Sequence, residues 1–290
     1  MPASITRSLA MHIAPFENHN QPIVDVNDER VPLNYFNIVK LKLGETFNYS
    51  VPGYETCIVP ATGRVTVSVS GQQIATVGLR SEDVWDAEPE GVYVPTGQQC
   101  SFVCESESAE VFIAGAPFDE VLQPFAVFAD DIDMIQYGSD DTKTHRKIKH
   151  ILGQKQADKV GRLLVSELFT VGTGGWSGFP AHKHGTDREG QETKHDETYN
   201  FRFKPNTGSA LQLLQKSEDE PGEAFHVVDG STFVIDDGYH PCVVMPGYQM
   251  YYFTILGGAQ QRGLAPYFQP IHADQLDTIP GMKSMWSKFK

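Results

Sequence analysis

Hydrophobic and polar positions alternate with a period of two along most of the chain. RVTVSVSG, GVYVPTG and CSFVCESESAEVFIAG in the first half, and RLLVSELFTV, ETYNFRFKP, SALQLLQ, TFVIDDG and MYYFTILGG in the second, are β-branched or aromatic runs bounded by Gly, Pro or Thr. Such runs predict short strands, each with one face turned inward. Their recurrence at turn-like spacing predicts sandwiches or barrels and argues against βαβ units.

The halves also echo one another. Glu55-Thr56 opens one strand pattern as Glu197-Thr198 opens another, and Val94-Pro95-Thr96-Gly97-Gln98 resembles Met245-Pro246-Gly247-Tyr248-Gln249. The offset of about 150 residues is close to one domain length, which predicts two tandem β-barrels. The expected division is residues 1–140, residues 141–270 and a tail over 271–290. Between the barrels, FAVFADDIDMIQYGSDD reads as linker, and THRKIKHIL as a helical turn or a cation-rich edge strand.

A chain of 290 residues is long enough for two such cores. A net charge of −14 argues against nucleic acid as a partner, because neutralising phosphates needs clustered Lys and Arg. An anionic substrate would then need a local positive feature, either a metal or an arginine. No 18-residue apolar run and no secretory signal pattern are visible, so the expected setting is cytoplasmic, without a membrane partner. Cys57, Cys100, Cys104 and Cys242 form no CxxC pair and are expected as buried thiols.

The chemistry concentrates in PAHKHGTDREGQETKHDETYNFRF. On a strand, His182 and His184 project to one face and Lys183 to the other. Glu197 and His240, each beside a strand pattern, are placed to join them. Three histidines and one carboxylate suit one divalent transition metal per chain, whether zinc, manganese, nickel or iron, with positions left for water or substrate. Glu189, Glu192 and Asp196 compete for the acidic role. Glu197 is preferred because Tyr199, Phe201 and Phe203 continue a strand on its face, whereas GTDREGQETKHD has the composition of a loop and His195 within it is expected to be exposed. Alone, HKH reads equally well as a charged surface loop; the joint occurrence of the four groups favours a metal site.

These motifs resemble the cupin superfamily. Within it, GGWSGFPAHKHGTD, DETYNFRFKP, DGYHPCVVMPGYQMYYFTILGG and the trailing Arg262 resemble the 5-deoxy-glucuronate isomerase family of myo-inositol catabolism. The resemblance implies an all-β bicupin of two double-stranded β-helix (jelly-roll) barrels, with metal ligands His182, His184, Glu197 and His240. The twelve residues between His184 and Glu197 exceed the usual cupin interval, and that family also has a long insertion there. The first barrel has FNYSVPGY before Glu55, without histidine, and Tyr93 near the expected place of a His240 counterpart; it reads as scaffold or interface.

The activity implied is conversion of 5-deoxy-glucuronate to 5-dehydro-2-deoxy-gluconate, an aldose to ketose isomerisation through a metal-stabilised enediolate. Candidates for the proton transfer are Tyr252, Tyr239, Lys183 or a metal-bound hydroxide, with strand parity weighing against Lys183. Arg202 and Arg262 are the candidates for the substrate carboxylate, and Gln212 and Tyr248 for its hydroxyls. Rival readings are a 5-keto-4-deoxyuronate isomerase of pectin breakdown, a cupin dioxygenase, and a non-enzymatic sugar-binding cupin. A homo-oligomer is compatible with all of them.

Overall fold

The computed structural model describes residues 11–283. Residues 1–10 and 284–290, which include the start of the expected first barrel and the end of the tail, lie outside the described residues. The period-two runs form strands throughout, and they assemble into two sandwiches. In Val65–Val69, for example, positions 65, 67 and 69 are buried and positions 66 and 68 are half-buried.

The first sandwich has a six-stranded antiparallel sheet in the order Phe125–Val127, Gly91–Val94, Tyr54–Thr62, Ser108–Pro117, Tyr35–Lys42, Pro22–Val24. A four-stranded sheet accompanies it, in the order Thr46–Tyr49, Cys100–Cys104, Val65–Val69, Gln72–Val77. Ile58, Val67, Phe102 and Val111 fill the space between them. The second sandwich has a seven-stranded sheet in the order His12–Ile13, Thr232–Ile235, His195–Lys204, Gln249–Gly258, Leu163–Thr170, Arg146–Leu152, Asp133–Tyr137. Its partner runs Gly175–Ser177, Cys242–Val244, Ser209–Leu214, Glu223–Val228, and the short pair His182–Lys183 and Tyr267–Phe268 closes one end. Phe201, Phe203, Phe233 and Tyr252 belong to this core. Each fully buried aromatic contributes about 1.5–3 kcal/mol.

The two large sheets pack back to back through Phe36, Phe112 and Phe253, whose rings lie 4.8 Å (Phe112 and Phe253) and 6.1 Å (Phe36 and Phe253) apart. Their central strands are therefore buried on both faces. In Tyr54–Thr62 the even positions Tyr54 and Ile58 face the first barrel's core, and the odd positions Cys57 and Val59 face the other barrel. An ion pair crosses the same interface. Arg80 donates to both oxygens of Glu167, at 2.7 and 2.6 Å, and the Tyr251 hydroxyl donates to the same carboxylate at 2.9 Å.

This packing corrects several sequence expectations. Glu55 is not the counterpart of Glu197, because it points out of its own barrel. It accepts the Tyr93 hydroxyl at 2.6 Å and the backbone N–H groups of Gly161, Arg162 and Leu163 at 2.8, 2.5 and 2.7 Å. The inward position is Thr56, which pairs with Val94 as Glu197 pairs with Ile235. By the same pairing, Gly91–Val94 matches Thr232–Ile235. The turn after it, at Pro95, therefore corresponds to the one beginning at Asp236 and not to the one at Met245. Tyr93 lies on the interface face and is no stand-in for His240.

Nor is the segment before residue 140 a plain linker. Asp133–Tyr137 is the edge strand of the second sandwich, and Arg146–Leu152 is an inner strand beside it, neither helical nor at an edge. His12–Ile13, from the other end of the chain, pairs with Thr232–Ile235 in that sheet. The tail carries the short helix Gln275–Thr278 and buries Ile279 and Met282 against Tyr137 and Ile135. All four cysteines are free and buried. No helix among the described residues is long and apolar enough to cross a membrane.

Candidate metal centre and active site

Three chain segments meet at one end of the second barrel. His182 and Lys183 form a two-residue strand that leads to His184. Glu197 comes from the strand His195–Lys204, and its neighbours Tyr199 and Phe201 enter the core on the same face. His240 follows Gly238, whose φ of 108° is a turn conformation that L side chains rarely adopt. An added Cβ there would also lie 3.0 Å from the Gln215 carbonyl oxygen, so the turn that presents His240 requires glycine.

The histidines are oriented by the backbone. His184 Nδ1 donates to the His195 carbonyl at 2.9 Å, and His240 Nδ1 donates to the Gly238 carbonyl at 2.7 Å. Both Nε2 atoms then face one carboxylate oxygen, Glu197 Oε2, at 3.0 and 3.1 Å. Backbone acceptors on the far ring nitrogen are the usual device for fixing metal-binding imidazoles. His240 Nε2 is buried and makes no hydrogen bond despite its closeness to Glu197, which is the condition of a lone pair waiting for a cation. The ligand atoms of His184, Glu197 and His240 all lie within 4.8 Å of one another. His182 stands at the rim of this group, its ring 5.0 Å from that of His240 and 6.3 Å from that of His184.

Electrostatics agree with a site built for positive charge. Burial alone would raise the Glu197 carboxyl, but the His184 and His240 imidazoles beside it hold it well below the usual carboxylate range. Burial opposes charge on His184 too, and there Glu197 wins and raises it. His182 is lowered to about 3, first by burial and then by its two histidine neighbours. A divalent ion would take the place of a proton shared between these groups. The donor set therefore fits a divalent transition metal.

A cavity of about 610 Å³ opens beside this group, with Glu197, His182, Tyr252, Thr254, Arg146 and Arg262 in its wall. That volume is in the range of small-molecule sites. The Tyr252 hydroxyl is hydrogen-bonded to Ser177 Oγ, and its ring lies 4.5 Å from that of Tyr199. Burial raises Tyr252 well above the ordinary tyrosine value, so it is a neutral phenol at working pH.

The other predicted residues fall elsewhere. Lys183 turns away from the histidines and lies over the Tyr239 ring at 5.3 Å, and the Tyr239 hydroxyl donates to Glu218 at 2.5 Å; neither lines the cavity. Arg202 reaches across to the first barrel, where it pairs with Glu110 at 2.7 Å, because alternation directs it opposite Glu197. Gln212 is fully buried, outside the cavity wall, and donates to the His240 carbonyl at 2.9 Å, so it braces the turn that presents His240. Tyr248 packs beside Gly208, outside the cavity. Arg262 does line the cavity, but its Nε is committed to the Leu163 carbonyl (2.9 Å) and its Nη2 to those of Leu152 (2.7 Å) and Gly153 (2.9 Å).

His195 is the clearest correction within the quoted stretch. It is fully buried, because the strand begins at residue 195 and not at the glutamate. The competing acids are occupied: Glu192 accepts the Gly185 and Thr186 amides, Asp196 pairs with Lys194 at 2.7 Å, and Glu189 is exposed. Arg146 and His150 were missed, since a cation-rich segment was read as surface. The available signal was the alternation in RKIKHIL, which puts Arg146, Ile148 and His150 on one face of a strand, and all three line the cavity.

Two back-to-back jelly-roll barrels, one of them holding a buried His, His, Glu group beside a cavity, define a bicupin. The KduI/IolB family model matches residues 9–275, and the chain belongs to that family; it is an isomerase. A relative from Shouchella clausii named 5-deoxy-glucuronate isomerase is 30% identical over 238 residues, covering 81% of this chain and 85% of that protein. One from Listeria monocytogenes with the same name is 26% identical, covering 82% and 87%. The crystal structure of an IolB-like protein from Salmonella typhimurium superposes with a TM-score of 0.83 at 25% identity, covering 91% of this chain and 98% of that one. An oxalate decarboxylase of Bacillus subtilis shares the fold alone, at 12% identity and a TM-score of 0.54, over 84% and 74% of the two chains.

Proposed function

We propose that the protein converts 5-deoxy-glucuronate to 5-dehydro-2-deoxy-gluconate, in the cytoplasmic catabolism of myo-inositol. One divalent ion is held by His184, Glu197 and His240, with His182 completing the set. The observation that carries this reading is the orphaned His240 Nε2 facing Glu197 beside the cavity. When bound, the ion would supply Lewis acidity where negative charge develops on the substrate oxygens.

The chain's own residues do the rest. Arg146 can only donate, so it donates to Ser177 Oγ, and the Ser177 hydroxyl shares a further hydrogen bond with Tyr252 Oη in which either oxygen can be the donor. Where Ser177 is that donor, the Tyr252 proton is free to face the cavity and can be given to a substrate oxygen. His150, anchored by a 2.8 Å bond between its Nδ1 and Ser166 Oγ, is a second cavity group of a type able to exchange a proton with substrate.

The test is an NMR assay of the purified protein with 5-deoxy-glucuronate and, separately, 5-keto-4-deoxyuronate, under anaerobic conditions. Ketose formation from the first substrate without oxygen is the expected result. Turnover of the second alone would transfer the protein to pectin breakdown, and turnover only in oxygen would replace isomerisation by oxygenase chemistry.

A further inference from the structure

Among the described residues two arginines are almost wholly buried, and they differ in one respect. Arg80, 2% exposed, has its charge met by both oxygens of Glu167. Arg146, 1% exposed, meets only neutral groups. Its Nε donates to the Tyr137 hydroxyl at 3.0 Å, its Nη1 to Ser177 Oγ, and its guanidinium carbon lies 5.2 Å from the centre of the Tyr137 ring. Among the described residues, no carboxylate forms an ion pair with it, and neither of its hydrogen bonds uses Nη2.

A guanidinium remains protonated in proteins, and burying a charge without a counter-charge is costly. Arg146 also lines the cavity, so the missing anion has a route to it. We propose that Arg146 is the anion-binding end of the active-site cavity and receives a carboxylate of the substrate, with Tyr137 and Ser177 holding the guanidinium fork in place.

The layout of the wall supports this assignment. Arg146 contacts Ser177, Ser177 contacts Tyr252, the Tyr252 ring is 4.5 Å from Tyr199, and the Tyr199 ring is 6.2 Å from that of His240. The cation is thus linked to the metal-ligand group through a run of touching side chains, and Arg146, His182 and Glu197 line the same cavity. A hexuronate has its carbonyl and its carboxylate at opposite ends of the carbon chain, so one molecule in that cavity can present the carbonyl to the metal ligands and the carboxylate to Arg146. Arg262, the other cavity arginine, has three backbone carbonyls as partners and does not share the deficit. In a chain of net charge −14, a cavity cation without a carboxylate partner is also a local feature that lets an anion enter.

The assignment rests on the uronate reading for the identity of the substrate, but the anion site can be tested without turnover. Wild type, Arg146→Gln and Ser177→Ala are compared by melting temperature in gluconate and in glucitol, a pair that differs by a carboxylate. The same proteins are assayed with 5-deoxy-glucuronate and with its neutral counterpart, in which CH2OH replaces the carboxylate. Gluconate should stabilise the wild type more than glucitol does, and Arg146→Gln should abolish the difference. The variant should also lose at least about tenfold in kcat/KM on the uronate, mainly through KM, and much less on the neutral sugar.

Equal responses of the wild type to gluconate and glucitol would overturn the anion site. So would an Arg146→Gln variant that keeps the gluconate preference, which would place the carboxylate on the metal. Should Arg146→Gln not fold, Ser177→Ala decides: it keeps the charge but loosens the fork, and an unchanged preference and KM would count against the assignment. A gluconate preference without turnover of the uronate would retain the anion site and discard the substrate.

Discussion

The two barrels of this chain put different chemistry in the same place. Where the second holds Glu197 with His182, His184 and His240 about it, the first holds Thr56, its match in the strand pairing, with Tyr49, Phe47 and Phe102 nearby. Phe47 and Tyr49 stand 5.6 and 6.4 Å from the Phe102 ring, and the Tyr49 hydroxyl meets Thr56 Oγ1 at 2.9 Å, much as His184 Nε2 meets Glu197 Oε2 at 3.0 Å. One barrel end is closed by aromatic packing and one neutral hydrogen bond. The other gathers two imidazoles and a carboxylate, with ligand atoms all within 4.8 Å of one another. A shared framework thus becomes scaffold or site according to the handful of side chains that point inward at one end.

His184→Ala breaks the comparison most sharply, because it removes one of the three ligands proposed for the metal. A loss of at least about 10³-fold in kcat/KM is expected, with an unchanged circular dichroism spectrum. Turnover close to wild type would refute the functional half of the contrast. Phe102→Ala should do the reverse, costing about 3–5 kcal/mol of stability in denaturant titration while leaving the metal content of the folded protein unaltered. Loss of metal in that variant would show that the barrels are not separable in function.

Smaller changes sharpen the same contrast. Thr56→Val deletes the partner of the Tyr49 hydroxyl and should cost about 1 kcal/mol by chemical denaturation, with no change in KM. Arg202→Gln should shift KM by less than about twofold and cost under about 1 kcal/mol, since its partly exposed pair with Glu110 ties the barrels together and has no part in the cavity. A large rise in KM would return Arg202 to the substrate.

The meeting of His184 and His240 was legible in the sequence because they sit in short local motifs, an HxH and a glycine turn, whose geometry is set within a few residues. The strand alternation was legible for the same reason. What failed was long-range or a matter of parity. Glu55 looked like the partner of Glu197 because each precedes a threonine, yet a shift of one residue along a strand exchanges inside for outside, and Thr56 is the position that faces in. Arg146 is buried only because Asp133–Tyr137 and Leu163–Thr170 flank its strand, and composition alone makes RKIKHIL look like surface. His195 shows the same limit, since its burial depends on the Arg262 segment folding back over it.

The most direct test of the contrast is to measure divalent metal per chain alongside 5-deoxy-glucuronate turnover, before chelation, after chelation and after adding metal back. About one ion per chain, turnover lost with its removal and restored with its return, and neither seen in His240→Ala, is the predicted result. Undiminished turnover in the metal-free protein would contradict it, and would leave the His184, Glu197 and His240 group as buried polar structure with no part in the reaction.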